Sequence, residues 1–67
     1  MNVIVNNKTE TTETQEKLFG LLARLNLSEK QGIAVAVNNN VVSKTNWNKY
    51  ELKENDKITI IRATQGG

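Results

Sequence analysis

Apolar residues change their spacing several times along this chain, and each change marks an element. Met1, Val3 and Val5 recur at every second position, which puts them on one face of a first strand and Ile4 on the other. Asn6-Asn7 then suits a tight hairpin turn, because Asn tolerates positive φ better than other residues that carry side chains. Residues 8–13 are Thr-rich and polar on both faces, as expected of a strand that gives little to a core. From Leu18 the period becomes helical. Leu18, Leu21, Leu22 and Leu25 form one leucine stripe, while Lys17 and Arg24 stay in water. Thr14 is expected to cap this helix and Glu16 to favour its dipole. Gly20 costs a helix about 1 kcal/mol relative to Ala. Asn26 is expected as a left-handed stop, with Leu27 folding back behind it.

Residues 28–32 form a polar connection, and Ile33-Ala34-Val35-Ala36-Val37 reads as a well-buried strand with its bulky residues on one face. Asn38-Asn39-Asn40 is a turn, after which Val41-Val42 begins a short returning strand. Residues 43–50 show no clean period. Trp47 and Leu52 are expected to tuck beneath a loop or short helical turn and close one end of the core, a binding aromatic being the alternative for Trp47. After a turn at Glu54-Asn55-Asp56, residues 57–64 make the last strand, with Ile58 and Ile60 inward and Thr59 and Ile61 outward. Two hairpins separated by a helix, plus a final strand, give the order ββαββ, with the last strand beside the first in the centre of a mixed sheet. This is an α+β arrangement of the β-grasp type, with one main helix on one face. Residues 1–64 are expected to form the single domain and 65–67 a flexible Gly-Gly tail.

Composition narrows the function. A chain of 67 residues holds one domain that buries only roughly 60% of its unfolded surface, so it offers little room for a deep cleft. Nine basic and seven acidic side chains leave a formal charge of +2, interspersed rather than blocked, and only Phe19, Trp47 and Tyr50 are aromatic. Nucleic-acid binding is therefore not expected. Cysteine and histidine are both absent, which removes disulfides, thiolate nucleophiles, imidazole bases and the usual zinc ligands together. Asp56 and the glutamates show no paired arrangement, so an independent enzyme is the least supported class. The longest apolar run, residues 33–37, is too short to span a bilayer, and Met1 leads straight into a strand pattern. A cytoplasmic monomer without membrane contact is expected.

The order and spacing of these features resemble the ThiS family, the ubiquitin-like sulfur carriers of thiamine biosynthesis. The resemblance covers nearly the whole chain. It rests on the short first strand, the Leu-rich helix, Ala36-Val37-Asn38 followed by Val41-Val42 and Trp47, Asp56-Lys57-Ile58, and the terminal Gly66-Gly67. Two positions depart from the family pattern: Asn55 stands where Gly usually precedes the Asp, and Ser43-Lys44 replaces Pro-Arg.

The resemblance implies that the working group is the α-carboxylate of Gly67. It would be adenylated with ATP by an E1-like, ThiF-like enzyme, converted to a thiocarboxylate with a sulfur donor, and consumed by a ThiG-like thiazole synthase. The carrier itself would need no bound cofactor, metal or catalytic residue. Gly66, with Gln65 before it, would thread the partner's active site, because a backbone without Cβ passes a narrow channel. Ile4 and Ile61, outward on neighbouring strands, would form a small apolar docking patch, with Arg62 flanking the tail. Scattered surface hydrophobicity is the alternative for the isoleucines, and plain solvation for Arg62. Competing readings are a carrier like the small subunit of molybdopterin synthase, a ubiquitin-like protein modifier, and a plain β-grasp binding domain with no use for Gly67.

Overall fold

Asparagine punctuates this fold. In a computed structural model, which describes residues 1–29 and 31–62, six of the seven non-glycine residues with positive φ are Asn. Asn6 and Asn7 (φ 48° and 71°) and Asn38 and Asn39 (φ 51° and 72°) make two-residue turns, the left-handed pairs whose twist suits hairpins. The first joins β1 (Asn2–Val5) to β2 (Lys8–Thr11), and the second joins β3 (Ile33–Val37) to β4 (Asn40–Val42). Because the second loop closes after Asn39, Asn40 pairs with Val37 and belongs to β4 rather than to the turn. The first hairpin is likewise shorter than expected. β2 ends at Thr11, and Thr12 is buried, its amide donating to the Met1 carbonyl at 2.7 Å.

The last strand, β5 (Lys57–Arg62), lies between the two hairpins, so the chain order is ββαβββ, one strand more than the expected ββαββ, and the sheet order is β2-β1-β5-β3-β4. It runs parallel to β1 and antiparallel to β3. Val3, Val5, Val35, Val37 and Ile58 bury their side chains on one face of this sheet. Against them packs α1 (Leu18–Arg24) through Leu18, Leu21 and Leu22, with Leu25 partly buried. Trp47, 2% exposed, follows a single 3-10 turn (Lys44–Asn46) and is buried in the core cluster together with Leu52. Its indole Nε1 donates to the Val42 carbonyl at 3.0 Å. Trp47 is thus a core residue.

The helix begins later than its capping signals imply. Lys17 is the N-cap residue and makes no side-chain cap bond, while Thr14 and Glu16 precede the helix. The reason is tertiary: the Leu18 and Phe19 amides donate to the carbonyls of Tyr50 and Trp47 at 2.8 and 2.9 Å. Those backbone acceptors satisfy two of the helix's open amides, so no Thr hydroxyl is needed. The other end follows expectation. Asn26 (φ 63°) donates to Ala23, and Leu27 donates to Leu22 at 2.8 Å, the paired bonds of a Schellman stop with buried Leu27 behind it.

Glu16 has a different role from the dipole partner the sequence implies. Its Oε1 accepts from Arg24 Nη2 at 2.6 Å, and its Oε2 lies where a Cβ on Gly20 would fall, at 2.7 Å. A methyl there would displace the carboxylate from a half-exposed pair worth under about 1 kcal/mol, while gaining roughly 1 kcal/mol of helix propensity. Gly20→Ala alone is expected to leave the urea midpoint nearly unchanged. In a Glu16→Ala background the same substitution should stabilise by about 1 kcal/mol, so the double-mutant cycle reads the conflict directly.

Candidate functional site

β5 is the strand that precedes the candidate residues Gln65, Gly66 and Gly67 in the chain. Alternation along it sends Ile58 (fully buried) and Ile60 (partly buried) toward the helix and Thr59 and Ile61 to the outer face. Ile61 is 57% exposed and stands opposite Ala34, while Thr59 stands opposite Ala36. Ala36 in turn faces Val41 of β4, which is 77% exposed. Ile61, Ala34, Ala36 and Val41 therefore share the outer face as one apolar strip spanning three strands.

Ile4 is placed differently. It is on the outer face and on the strand next to β5, but its partner in register is Lys57. Ile61 lies four residues further along, roughly 13 Å at the rise of a strand. The two isoleucines share a face without touching, and Val41 takes the place beside the Ile61 strip that sequence reasoning gave to Ile4. The signal for Val41 was present: outward Ala36 and a two-residue turn put Val41 directly across from it.

Arg62 points the other way. It follows Ile58 and Ile60 on the helix side, where it lines an open groove with Val5, Lys8, Leu25 and Leu27. Arg62 and Ile61 thus serve opposite faces of the same strand end. Gln65, Gly66 and Gly67 lie outside the described residues.

The start of β5 is pinned by a buried carboxylate. Asp56, 7% exposed, accepts the Lys53 amide at 2.8 Å and Asn38 Nδ2 at 2.9 Å. Asn38 Oδ1 accepts the Lys57 amide at 3.0 Å, and the Asn38 amide donates to the Lys57 carbonyl at 2.8 Å. Asn55, with φ 67°, supplies the left-handed turn in place of Gly. Asp56 therefore fastens the turn, each of its two oxygens accepting one hydrogen bond. Among the described residues no group of three or more His, Cys, Asp or Glu is gathered to hold a metal ion. Among the described residues, no helix is long and apolar enough to cross a membrane.

A five-stranded mixed sheet with a central parallel pair and one helix across one face defines a ubiquitin-like β-grasp protein. The chain belongs to the ThiS family, whose sequence model matches residues 3–67. It is similar to the crystal structure of the thiamine biosynthesis protein ThiS from Geobacter metallireducens, with a TM-score of 0.84 and 23% identity over 100% of both chains. It is also similar to the solution structure of a thiamine biosynthesis protein from the same organism, with a TM-score of 0.73 and 25% identity over 100% of this chain and 88% of the other. No curated protein sequence matches it.

Proposed function

We propose that this protein is a sulfur carrier of thiamine biosynthesis, loaded and unloaded at the α-carboxylate of Gly67. The observation that carries the reading is the family match, which runs through Gly66 and Gly67 to the last residue. The central strand that leads there, between an apolar strip and a groove of mixed charge lined by Lys8, Glu10 and Arg62, suits a protein read by partners from its surface.

The chemistry would take place in those partners. A carboxylate oxygen of Gly67 attacks the α-phosphate of ATP in a ThiF-like enzyme, and pyrophosphate leaves. The resulting acyl-adenylate is a mixed anhydride, so a sulfide equivalent adds to its carbonyl and expels AMP. The product is a thiocarboxylate, the nucleophile that a ThiG-like thiazole synthase consumes. Each bond made or broken is at Gly67 or on the nucleotide, so this chain contributes recognition and no acid, base or bound cofactor.

Intact mass after incubation with a ThiS-type activating enzyme, ATP and a sulfur donor tests this. The expected result is a gain equal to exchanging one oxygen for sulfur, seen in the full chain and not in one lacking Gly66 and Gly67. No adenylate and no sulfur shift, with the same enzyme active on another carrier, would favour the plain binding domain instead.

Docking is assigned to the outer strip around Ile61 and Val41. Ile61→Asp and Val41→Asp should each raise the KM for charging about tenfold or more, as a lost interface anchor does. Both side chains are exposed, so stability should stay within about 0.5 kcal/mol of the parent. Equal charging kinetics in both variants would move the docking surface elsewhere.

A further inference from the structure

β5 is held on two flanks, and the flanks end at different places. Pairing with β3 continues to Arg62, opposite Ile33. Parallel pairing with β1 registers only Ile4 with Lys57 and Val5 with Ile58. Beyond that point β1 has already turned back, because Asn6 and Asn7 are in the left-handed conformation.

Asn6 spans the gap. Its backbone amide donates to the Ile58 carbonyl at 2.9 Å. Its side-chain Oδ1 accepts the Ile60 amide at 2.8 Å, and its Nδ2 donates to the Ile60 carbonyl at 3.4 Å. A carboxamide offers the same acceptor and donor as a peptide group, so this side chain acts as one more residue of β1 after the backbone has left. Without it the β1 flank of β5 would end at Ile58, four residues before Arg62.

We propose that Asn6 is a positioning residue for the tail: by holding Ile60 on the β1 flank, it fixes the course of β5 through Ile61 and Arg62, the end of the strand that precedes Gly67 in the chain. The consequence for charging rests on the carrier reading above, since it concerns how the Gly67 carboxylate reaches the α-phosphate of ATP. Misalignment of a reacting group lowers the rate of the step without requiring weaker docking.

Asn38 provides a matched control. It grips the same strand by backbone and side chain, from the opposite flank and at the opposite end, at Lys57. Both asparagines have positive φ, so glycine at either position keeps the turn and removes only the side chain. In Asn6→Gly, amide exchange at Ile60 should accelerate about fivefold, the effect of one lost net hydrogen bond. Residual dipolar couplings of the Ile61 and Arg62 amides should shrink, and kcat for adenylation should fall about tenfold with KM unchanged. Asn6→Asp keeps the acceptor for the Ile60 amide and should recover part of kcat. Asn38→Gly should lower the melting temperature at least as much, yet leave kcat and those couplings alone.

A parental kcat in Asn6→Gly, or an equal fall in Asn38→Gly, would overturn the proposal. If the parent chain itself is not adenylated, the carrier reading fails. The dipolar couplings then decide Asn6 alone, and unchanged values in Asn6→Gly would overturn it.

Discussion

Trp47→Ala is expected to cost about 4 kcal/mol, the usual loss when a fully buried aromatic is cut back to a methyl. Trp47 is the largest of the fully buried side chains, and it belongs to one buried cluster with Leu18, Leu52 and the inward residues of the strands. The loss has two parts. The indole's apolar surface leaves a cavity, and the Val42 carbonyl loses the Nε1 hydrogen that reaches it at 3.0 Å. At roughly 0.05–0.15 kcal/mol per residue, a domain of this size is stable by only about 3–10 kcal/mol. The variant should therefore retain at most about 6 kcal/mol and unfold at a much lower urea concentration than the parent. Because the substitution removes the chain's one Trp, urea unfolding must be followed by circular dichroism. Trp47→Phe keeps part of the ring packing but loses the donor and three ring atoms, so it should cost about 2–3 kcal/mol. A Trp47→Ala variant within 1 kcal/mol of the parent would contradict the core role and revive the exposed, binding aromatic.

Asp56→Asn should cost about 2 kcal/mol although it changes the side chain's size hardly at all. The carboxylate receives two donors, the Lys53 amide and Asn38 Nδ2. A carboxamide presents one oxygen and one NH2, so one of those donors must face another donor. Turning the Asn38 amide over does not help, because its Oδ1 is already needed by the Lys57 amide. A buried donor left without an acceptor costs roughly 1–3 kcal/mol. The double variant with Asn38→Gly should be less destabilised than the sum of the singles, since removing the Asn38 amide relieves the conflict. Additivity of the two, measured by denaturant midpoints at constant slope, would show that the clasp does not operate as one network.

These two residues differ in how much of their role could be read in advance. Trp47 and Leu52 are expected at one end of the core from composition alone, since so short a chain has few large apolar groups to spend. Asp56 reads as a turn residue, and nothing in its neighbours announces the partner eighteen positions away. The two hairpins show the same division. Asn6-Asn7 and Asn38-Asn39 announce left-handed turns locally, but the reach of Asn6 to Ile60 depends on which strand lies beside β1.

The outer apolar strip and the helix start show where local reading stops. Alternation correctly assigns Ile4 and Ile61 to the outer face, yet adjacency is a matter of register. Ile4 meets Lys57, and Val41 completes the strip instead. Thr14 has the chemistry of a cap and is not one, because carbonyls from Tyr50 and Trp47 reach the helix amides first.

What the sequence determines by itself is what periodicity and backbone preference can encode within a few residues: strands of period two, a leucine-striped helix, left-handed asparagines between them, and a Gly-Gly terminus in the family's place. What only the tertiary structure decides is every relation between distant segments: the parallel register of β1 with β5, the acceptors at the helix start, the clasp at Asp56 and the hold of Asn6 on Ile60. The physical reason is that side-chain period and φ preference are properties of neighbouring residues. A hydrogen bond across the sheet, in contrast, is chosen by competition among all the donors and acceptors that packing brings together.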